Sequence, residues 1–246
     1  MLPFAAFQDE AGTYLIEQHT LLIAPAIQVL QLTRQHRQAQ QQGTGADDLL
    51  IVGNPTMPTI GGQTLTALPG AEAEAKSIAA LLGTTPLIGP QAREPDIVQR
   101  LPQARIAHFA THGLLGDYED WGVPGAIALT PAGEANGLLT SGEILALDLN
   151  AELVVLSACD TGRGQITGDG VYGLSRAFLT AGVSSLVTTL WLIPDQPSAF
   201  LMTRFYENLA AGQDKAQALR QAMLATKARY PEPRNWAAFT LMGEAE

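Results

Sequence analysis

Cys159 is the only cysteine of the chain, and it closes an apolar run, LVVLSACDTG (153–162), that stops on an Asp, a Thr and a Gly. A second apolar run, RIAHFA (105–110), gives way to Thr111, His112 and Gly113, and a third, SLVTTLW (185–191), leads to Asp195. A thiol attacks a carbonyl only with help: an imidazole to manage protons, and N–H donors aimed at the developing oxyanion. His112 is the candidate for the first role. Gly113 has no side chain, so a substrate carbonyl can approach its N–H closely, and with the N–H of Cys159 it would form an oxyanion hole.

The residues that carry this chemistry need a frame. Apolar segments of 5 to 8 residues alternate with amphipathic stretches of 10 to 16, the pattern of a sheet with crossover helices. Strands are predicted at 13–18, 48–53, 85–89, 105–110, 125–130, 152–158, 185–191 and 237–243, with helices at 26–38, 70–83, 95–101, 141–147, 171–182, 197–212 and 215–230. The continuous apolar strands 48–53, 105–110, 152–158 and 185–191 read as the central parallel set, covered on both faces. Open parallel sheets bind ligands just beyond the carboxyl ends of their strands. Neighbouring strands lie about 4.8 Å apart, so His112 and Cys159 can meet there although 47 residues separate them.

A chain of 246 residues is long for one small domain and short for two, which favours one α/β domain with extra elements. Within that single domain, 1–246, the predicted strand and helix of 1–47 are expected to precede a core of 48–246. The composition is that of a globular protein, 46% hydrophobic and 15% charged, and the only biased tract, RQHRQAQQQGTG (34–45), reads as a helix end and a polar loop. A net charge of -10 disfavours a nucleic-acid partner, which needs clustered Lys and Arg. MLPFAAFQDEAG (1–12) lacks the charged n-region and apolar core of a secretory leader, and no run of 18 apolar residues occurs in the sequence. With a single cysteine and hence no internal disulfide, the expectation is a cytoplasmic protein without a membrane partner.

Other readings of the same residues are weaker. His108 and His112 make H-x-x-x-H, but Phe109 stands where a zincin needs Glu, and on a strand the two rings are about 13 Å apart. His108 is therefore expected in the core or behind the site, and His19 and His36 at the surface. The residue six after Cys159 is Gln165, not the Arg of a phosphatase loop. GDGVYG (168–173) matches the dinucleotide fingerprint and Asp195 lies where a ribose-binding acid would, yet about nine residues separate Ala158 from Gly168, too many for the tight strand-to-helix turn. The acids of GDYEDWG (116–122) lack the alternating spacing of a calcium loop. No metal and no cofactor is expected. Trp236 reads as a core aromatic.

Several blocks, in order, resemble one family. LPFAAFQDEAGTYLIEQHTLLIAPAIQVL, HFATHG, VVLSACDTG, GDGVYGLSRAFLTAGVSSLVTTLW and AAFTLMG are similar to the CHAT domain family, caspase-like cysteine peptidases related to separase. The resemblance implies a caspase-like α/β fold, a mostly parallel central sheet with helices on both faces. It also implies His112 as general acid/base and Cys159 as nucleophile, in agreement with the spacing of about 50 residues seen in caspases. The caspase signature Q-A-C-x-G is replaced by SACDTG, so caspase specificity for Asp in P1 is not expected.

TTLWLIPD (188–195) looks like the separase segment W-D-V-T-D, whose last Asp lines the S1 pocket. That Asp falls on Asp195, whereas the first falls on Leu192, so half of the acidic pattern is present. A carboxylate facing a guanidinium makes a bidentate, charge-assisted contact, which implies cleavage after Arg or Lys, with Trp191 as one wall of the pocket. Asp160 would raise the thiol's pKa if it faced the sulfur. It therefore points away, either to cap a turn or to add negative potential to S1. The expected activity is that of a cysteine endopeptidase working through an acyl-enzyme. The alternatives are a noncatalytic protein-interaction module on the same fold and, more remotely, a dinucleotide-binding domain. CHAT domains commonly follow tetratricopeptide repeats, so the resemblance implies such a region in the full-length protein, recruiting a protein or peptide substrate or restraining the protease.

Overall fold

The computed structural model describes residues 2–24, 26–42, 48–114, 125–157, 168–191 and 193–246. The chain opens with a short helix α1 (Leu15–Gln18) and a long one, α2 (Ile27–Gln42), before the first strand, β1 (Asp48–Pro55). A small hairpin of β2 (Thr59–Ile60) and β3 (Gln63–Thr64) precedes α3 (Pro69–Leu82), β4 (Leu87–Gly89), α4 (Glu94–Arg100) and β5 (Ala104–Ala110). Then come β6 (Gly113–Leu114), β7 (Ala126–Ala128), β8 (Leu138–Thr140), α5 (Ser141–Leu145) and β9 (Leu153–Leu156). The chain ends with α6 (Gly168–Thr180), β10 (Ser185–Thr189), α7 (Asp195–Ala210), α8 (Lys215–Arg229) and β11 (Phe239–Gly243).

Among the described residues the main sheet has the order β11-β10-β9-β5-β1-β4. All its pairings are parallel except β10 with β11. Successive side chains of a strand point to opposite faces, and here both faces are apolar. Leu50, Val52, Ala107, Phe109, Val154, Leu156 and Leu186 enter one core, together with side chains of α4, α5 and α6. Ile51, Ile106, Leu153, Val155 and Val187 enter the other, against α3, α7 and α8. That double burial is why these strands read as unbroken apolar runs rather than alternating ones. β6, β7 and β8 form a separate three-stranded sheet, and its apolar side chains Leu114, Ala126, Ala128 and Leu138 share a third cluster with Met57 and Leu65.

Local chemistry sets the helix ends. α3 begins with Pro69, carries Glu72 in its first turn and stops at Gly83, whose φ of 69° is left-handed, the conformation a side chain disfavours. Asp214 caps α8 by accepting from Gln217 N at 2.8 Å. Among the described residues no helix is long and apolar enough to cross a membrane.

Three expectations need correction. The stretch 13–18 is not a strand: Glu17 Oε2 accepts from Tyr14 N at 2.9 Å and Leu15–Gln18 turn into α1, burying Ile16. The stretch 125–130 supplies β7, which belongs to the small sheet and not the central one. GDGVYG, as its distance from the strand implies, opens no tight strand-to-helix turn: β9 ends at Leu156 and α6 begins at Gly168. His36 is half-buried, not fully at the surface.

Candidate active site

β1, β5, β9 and β10 run parallel, so their carboxyl ends share one edge of the sheet. At that edge Thr111 Oγ1 donates to Ala128 O at 2.9 Å, and Ala128 N donates to His112 O at 2.9 Å. β7 thereby holds the Thr111 hydroxyl and the His112 carbonyl. The ring is 1% exposed, and its Nε2 lies 2.6 Å from Thr66 O, in the segment between β3 and α3. A carbonyl oxygen only accepts, so Nε2 carries a hydrogen, and in the neutral form of the ring the lone pair lies on Nδ1. Gly113 pairs with Ile127, and the Ala128 N to His112 O bond makes this a non-hydrogen-bonded pair, whose N–H points away from the partner strand. The Gly113 N–H therefore stays out of the β6–β7 ladder.

β9 ends between β5 and β10, the strands that lead to His112 and Asp195. Ser157 N donates to Phe109 O at 3.0 Å, which stitches the end of β9 to β5. Cys159 and Asp160 follow immediately and lie outside the described residues, as do Leu192 and the acidic stretch 116–122. Behind the strand end runs a buried chain of polar groups. Glu74 of α3 holds His108 Nε2 at 3.0 Å through Oε1 and accepts from Ser198 Oγ at 3.2 Å through Oε2. A hydroxyl has one hydrogen, and Ser198 spends it on Glu74, so Ser157 is the donor in the 3.2 Å contact between the two serines. Tyr206 OH sits 3.3 Å from His108 Nδ1. Burial first, and the Glu74 charge second, push the Tyr206 phenol far above its ordinary range, so it remains a donor. His108 itself is 0% exposed and belongs to the face covered by α3 and α7.

At the end of β10, Trp191 donates its indole N–H to Arg234 O at 3.0 Å. Asp195 is the first residue of α7 and is exposed. Its carboxylate lies over the first turn of α3: a Cβ added at Gly70 would sit 2.2 Å from Asp195 Oδ2. The positive end of that helix favours a carboxylate there. Segment 66–70 therefore touches both the imidazole, through Thr66 O, and the acid, through Gly70. Trp236 is fully buried.

Sequence reasoning passed over Asn54, Thr66, Glu74, Ser157 and Ser198. For Glu74 a signal existed, since it shares the helical face of Ala71, Ala75 and Ile78, where an acid needs a buried partner. For Thr66 none existed, because the contact is made by a main-chain atom.

Solved structures share this architecture. The Arg-specific cysteine proteinase gingipain R superposes with a TM-score of 0.59 at 13% identity, covering 88% of this chain and 51% of that one. The Saccharomyces cerevisiae separase–securin complex matches with a TM-score of 0.53 at 13% identity, covering 95% of this chain and 14% of that one. The fold is the caspase-like α/β fold of these cysteine proteases. The CHAT domain family model matches residues 1–244, and the chain belongs to that family. Tetratricopeptide repeat protein 28 of Mus musculus is 29% identical over 288 residues, which take in 98% of this chain and 12% of that protein. Its Homo sapiens counterpart is 28% identical over 289 residues, 99% of this chain and 11% of that protein. The chain thus spans only a small part of either relative.

Proposed function

We propose that the chain is a cysteine endopeptidase that cuts protein substrates after Arg, and after Lys less well. The observation that carries the reading is His112. Its imidazole is held by a main-chain carbonyl at the sheet's carboxyl edge, one strand away from the β9 end that leads to Cys159, and the next N–H is left out of its ladder. In the proposed reaction Cys159 Sγ attacks the peptide carbonyl carbon while the N–H groups of Gly113 and Cys159 hold the oxyanion. His112 Nδ1 takes the thiol proton as Sγ attacks and passes it to the leaving amine, the C–N bond breaks, and water hydrolyses the acyl-enzyme, releasing the acid and restoring the thiol. Asp195 receives the P1 guanidinium in a charge-assisted contact, with Trp191 as a wall and Asp160 either capping a turn or adding negative potential. The chain's own residues need no cofactor for this chemistry. Its tetratricopeptide-repeat relatives support a repeat region as partner, one that recruits the substrate or restrains the protease, and the site of action is the cytoplasm.

The test is a fluorogenic peptide panel with Arg, Lys or Asp in P1, run on the parent chain and on Cys159→Ala. Cleavage after Arg that vanishes in the variant is expected. Preference for Asp would overturn the assigned specificity, and equal turnover in both proteins would overturn the nucleophile.

One observation favours a second reading, a noncatalytic interaction module: the His112 ring is 1% exposed. Iodoacetamide labelling decides between them. Labelling of Cys159 that falls when His112→Ala is introduced supports the peptidase, while slow labelling equal in both supports the module.

A further inference from the structure

Among the described residues Asn54 is the one non-glycine residue with positive φ, +44°. It sits at the carboxyl end of β1, where the register with β4 slips between Gly53 and Pro55. Side chains disfavour this conformation, and Asn tolerates it better than most because its short amide bonds locally. Outlying backbone of this kind persists where surrounding contacts over-determine it, and it concentrates at functional sites.

Both ends of the Asn54 amide are engaged, and neither engagement can be reversed. Oδ1 accepts from Leu68 N at 2.7 Å. Nδ2 donates to Glu72 Oε2 at 3.2 Å, and Glu72 is itself held by Lys76 Nζ at 2.6 Å. A main-chain N–H only donates and a carboxylate only accepts, so the amide has one orientation. Leu68 is the residue before α3 and has no side-chain cap of its own, which leaves Asn54 to fasten the start of that helix to the end of β1. Two residues earlier, Thr66 O meets His112 Nε2 at 2.6 Å. Leu65 N bonds Pro58 O at 3.1 Å on the other side of that carbonyl. Thr66 is thus suspended between two fixed points, one of which is the Asn54 amide.

We propose that Asn54 is a positioning residue for His112: by holding Leu68 it aims the Thr66 carbonyl at Nε2 and so locks the ring in the Nε2–H form, with Nδ1 as the proton-handling nitrogen. The role in catalysis rests on the peptidase reading, whereas the effect on the ring does not. Asn54→Gly is the informative variant. Glycine adopts φ of +44° without strain, so the turn survives while the amide is lost. Asn54→Asp keeps an acceptor for Leu68 N and loses the donor to Glu72.

The experiment is nitrogen-15 NMR of the imidazoles in the full chain, with His112 assigned by comparison with His112→Ala, alongside the pH profile of Cys159 alkylation by iodoacetamide. The parent is expected to show a fixed Nε2–H tautomer. Asn54→Gly, folded by circular dichroism, is expected to show a mixed tautomer and alkylation slowed about tenfold, the effect of roughly one hydrogen bond, with an altered pH profile. Asn54→Asp should recover most of the parent's tautomer signal. An unchanged tautomer and an unchanged alkylation profile in Asn54→Gly overturn the proposal. Failure of the peptidase reading is seen separately, as a parent with the fixed tautomer that cuts no peptide of the panel.

Discussion

Removing the carboxylate of Glu74 is the sharpest probe of the polar chain behind the site. Glu74→Ala deprives two buried donors of their acceptors, His108 Nε2–H at 0% residue exposure and Ser198 Oγ–H at 5%. A buried donor left without a partner costs about 1–3 kcal/mol, so the two together cost about 2–6 kcal/mol against a total stability of about 5–15 kcal/mol. At about 2–4 °C per kcal/mol for a chain of this size, a central loss of ~4 kcal/mol lowers the thermal midpoint by ~8–16 °C. Glu74→Gln keeps the shape. Its amide oxygen takes the His108 N–H and its NH2 faces Ser198, whose hydroxyl turns towards Ser157. The chain of donors reverses but still closes, so the expected loss is only about 1–2 kcal/mol, the charge assistance. Thermal and urea unfolding followed by circular dichroism measure both, and the cycle with Ser198→Ala should show a coupling of about 0.5–3 kcal/mol. A Glu74→Ala protein within 1 kcal/mol of the parent, or a Gln variant as damaged as Ala, would refute the argument.

Gly70→Ala suits the helix start, but its Cβ would fall 2.2 Å from Asp195 Oδ2 and 2.3 Å from Asp195 Cβ, so the whole acid must move. Losing a charge-assisted contact of about 1.5–3 kcal/mol predicts that the ratio of kcat/KM for Arg over neutral P1 peptides drops at least about tenfold while the thermal midpoint holds; an unchanged ratio would remove Asp195 from S1. Gly53→Ala places a Cβ 2.3 Å from Ala75 Cβ and 2.9 Å from Ala71 O, and overpacking of this kind costs about 1–3 kcal/mol, which denaturant unfolding would detect. Glu94 is pushed above its ordinary range by burial, against the opposing hydrogen bond from Gly137 N at 2.7 Å. Its stabilising contribution is therefore complete below the unfolded pKa and is lost as pH rises through the folded one. The thermal midpoint of Glu94→Gln, measured relative to the parent, should accordingly improve from pH 4 to pH 7, and a flat or falling difference would contradict the assigned cause.

Much of the frame was legible from residue types, for reasons that particular segments make clear. Runs 48–53, 105–110, 152–158 and 185–191 announced β1, β5, β9 and β10 because a strand buried on both faces has no polar positions to interrupt it. Segment 13–18 misled because a short run with Tyr14, Leu15 and Ile16 fits either period, and the bond from Tyr14 N to Glu17 Oε2 settled it as helix. His108 was recognisable as a residue of the interior, but its partner Glu74 is 34 positions away in the chain, and only the packing of α3 on β5 makes them neighbours.

The order of residues along the chain determined the long apolar strands of the central sheet and the helices between them, that His112 and Gly113 follow one strand end, and that Cys159 follows another, since periodicity and strand ends are local properties. Tertiary structure alone decided the strand order that sets β9 between β5 and β10, the antiparallel partner β11, and the union of Asn54, Thr66 and His112. The reason is physical: such contacts join distant positions, and the atom that meets the imidazole is a main-chain carbonyl, which every residue type carries and none advertises.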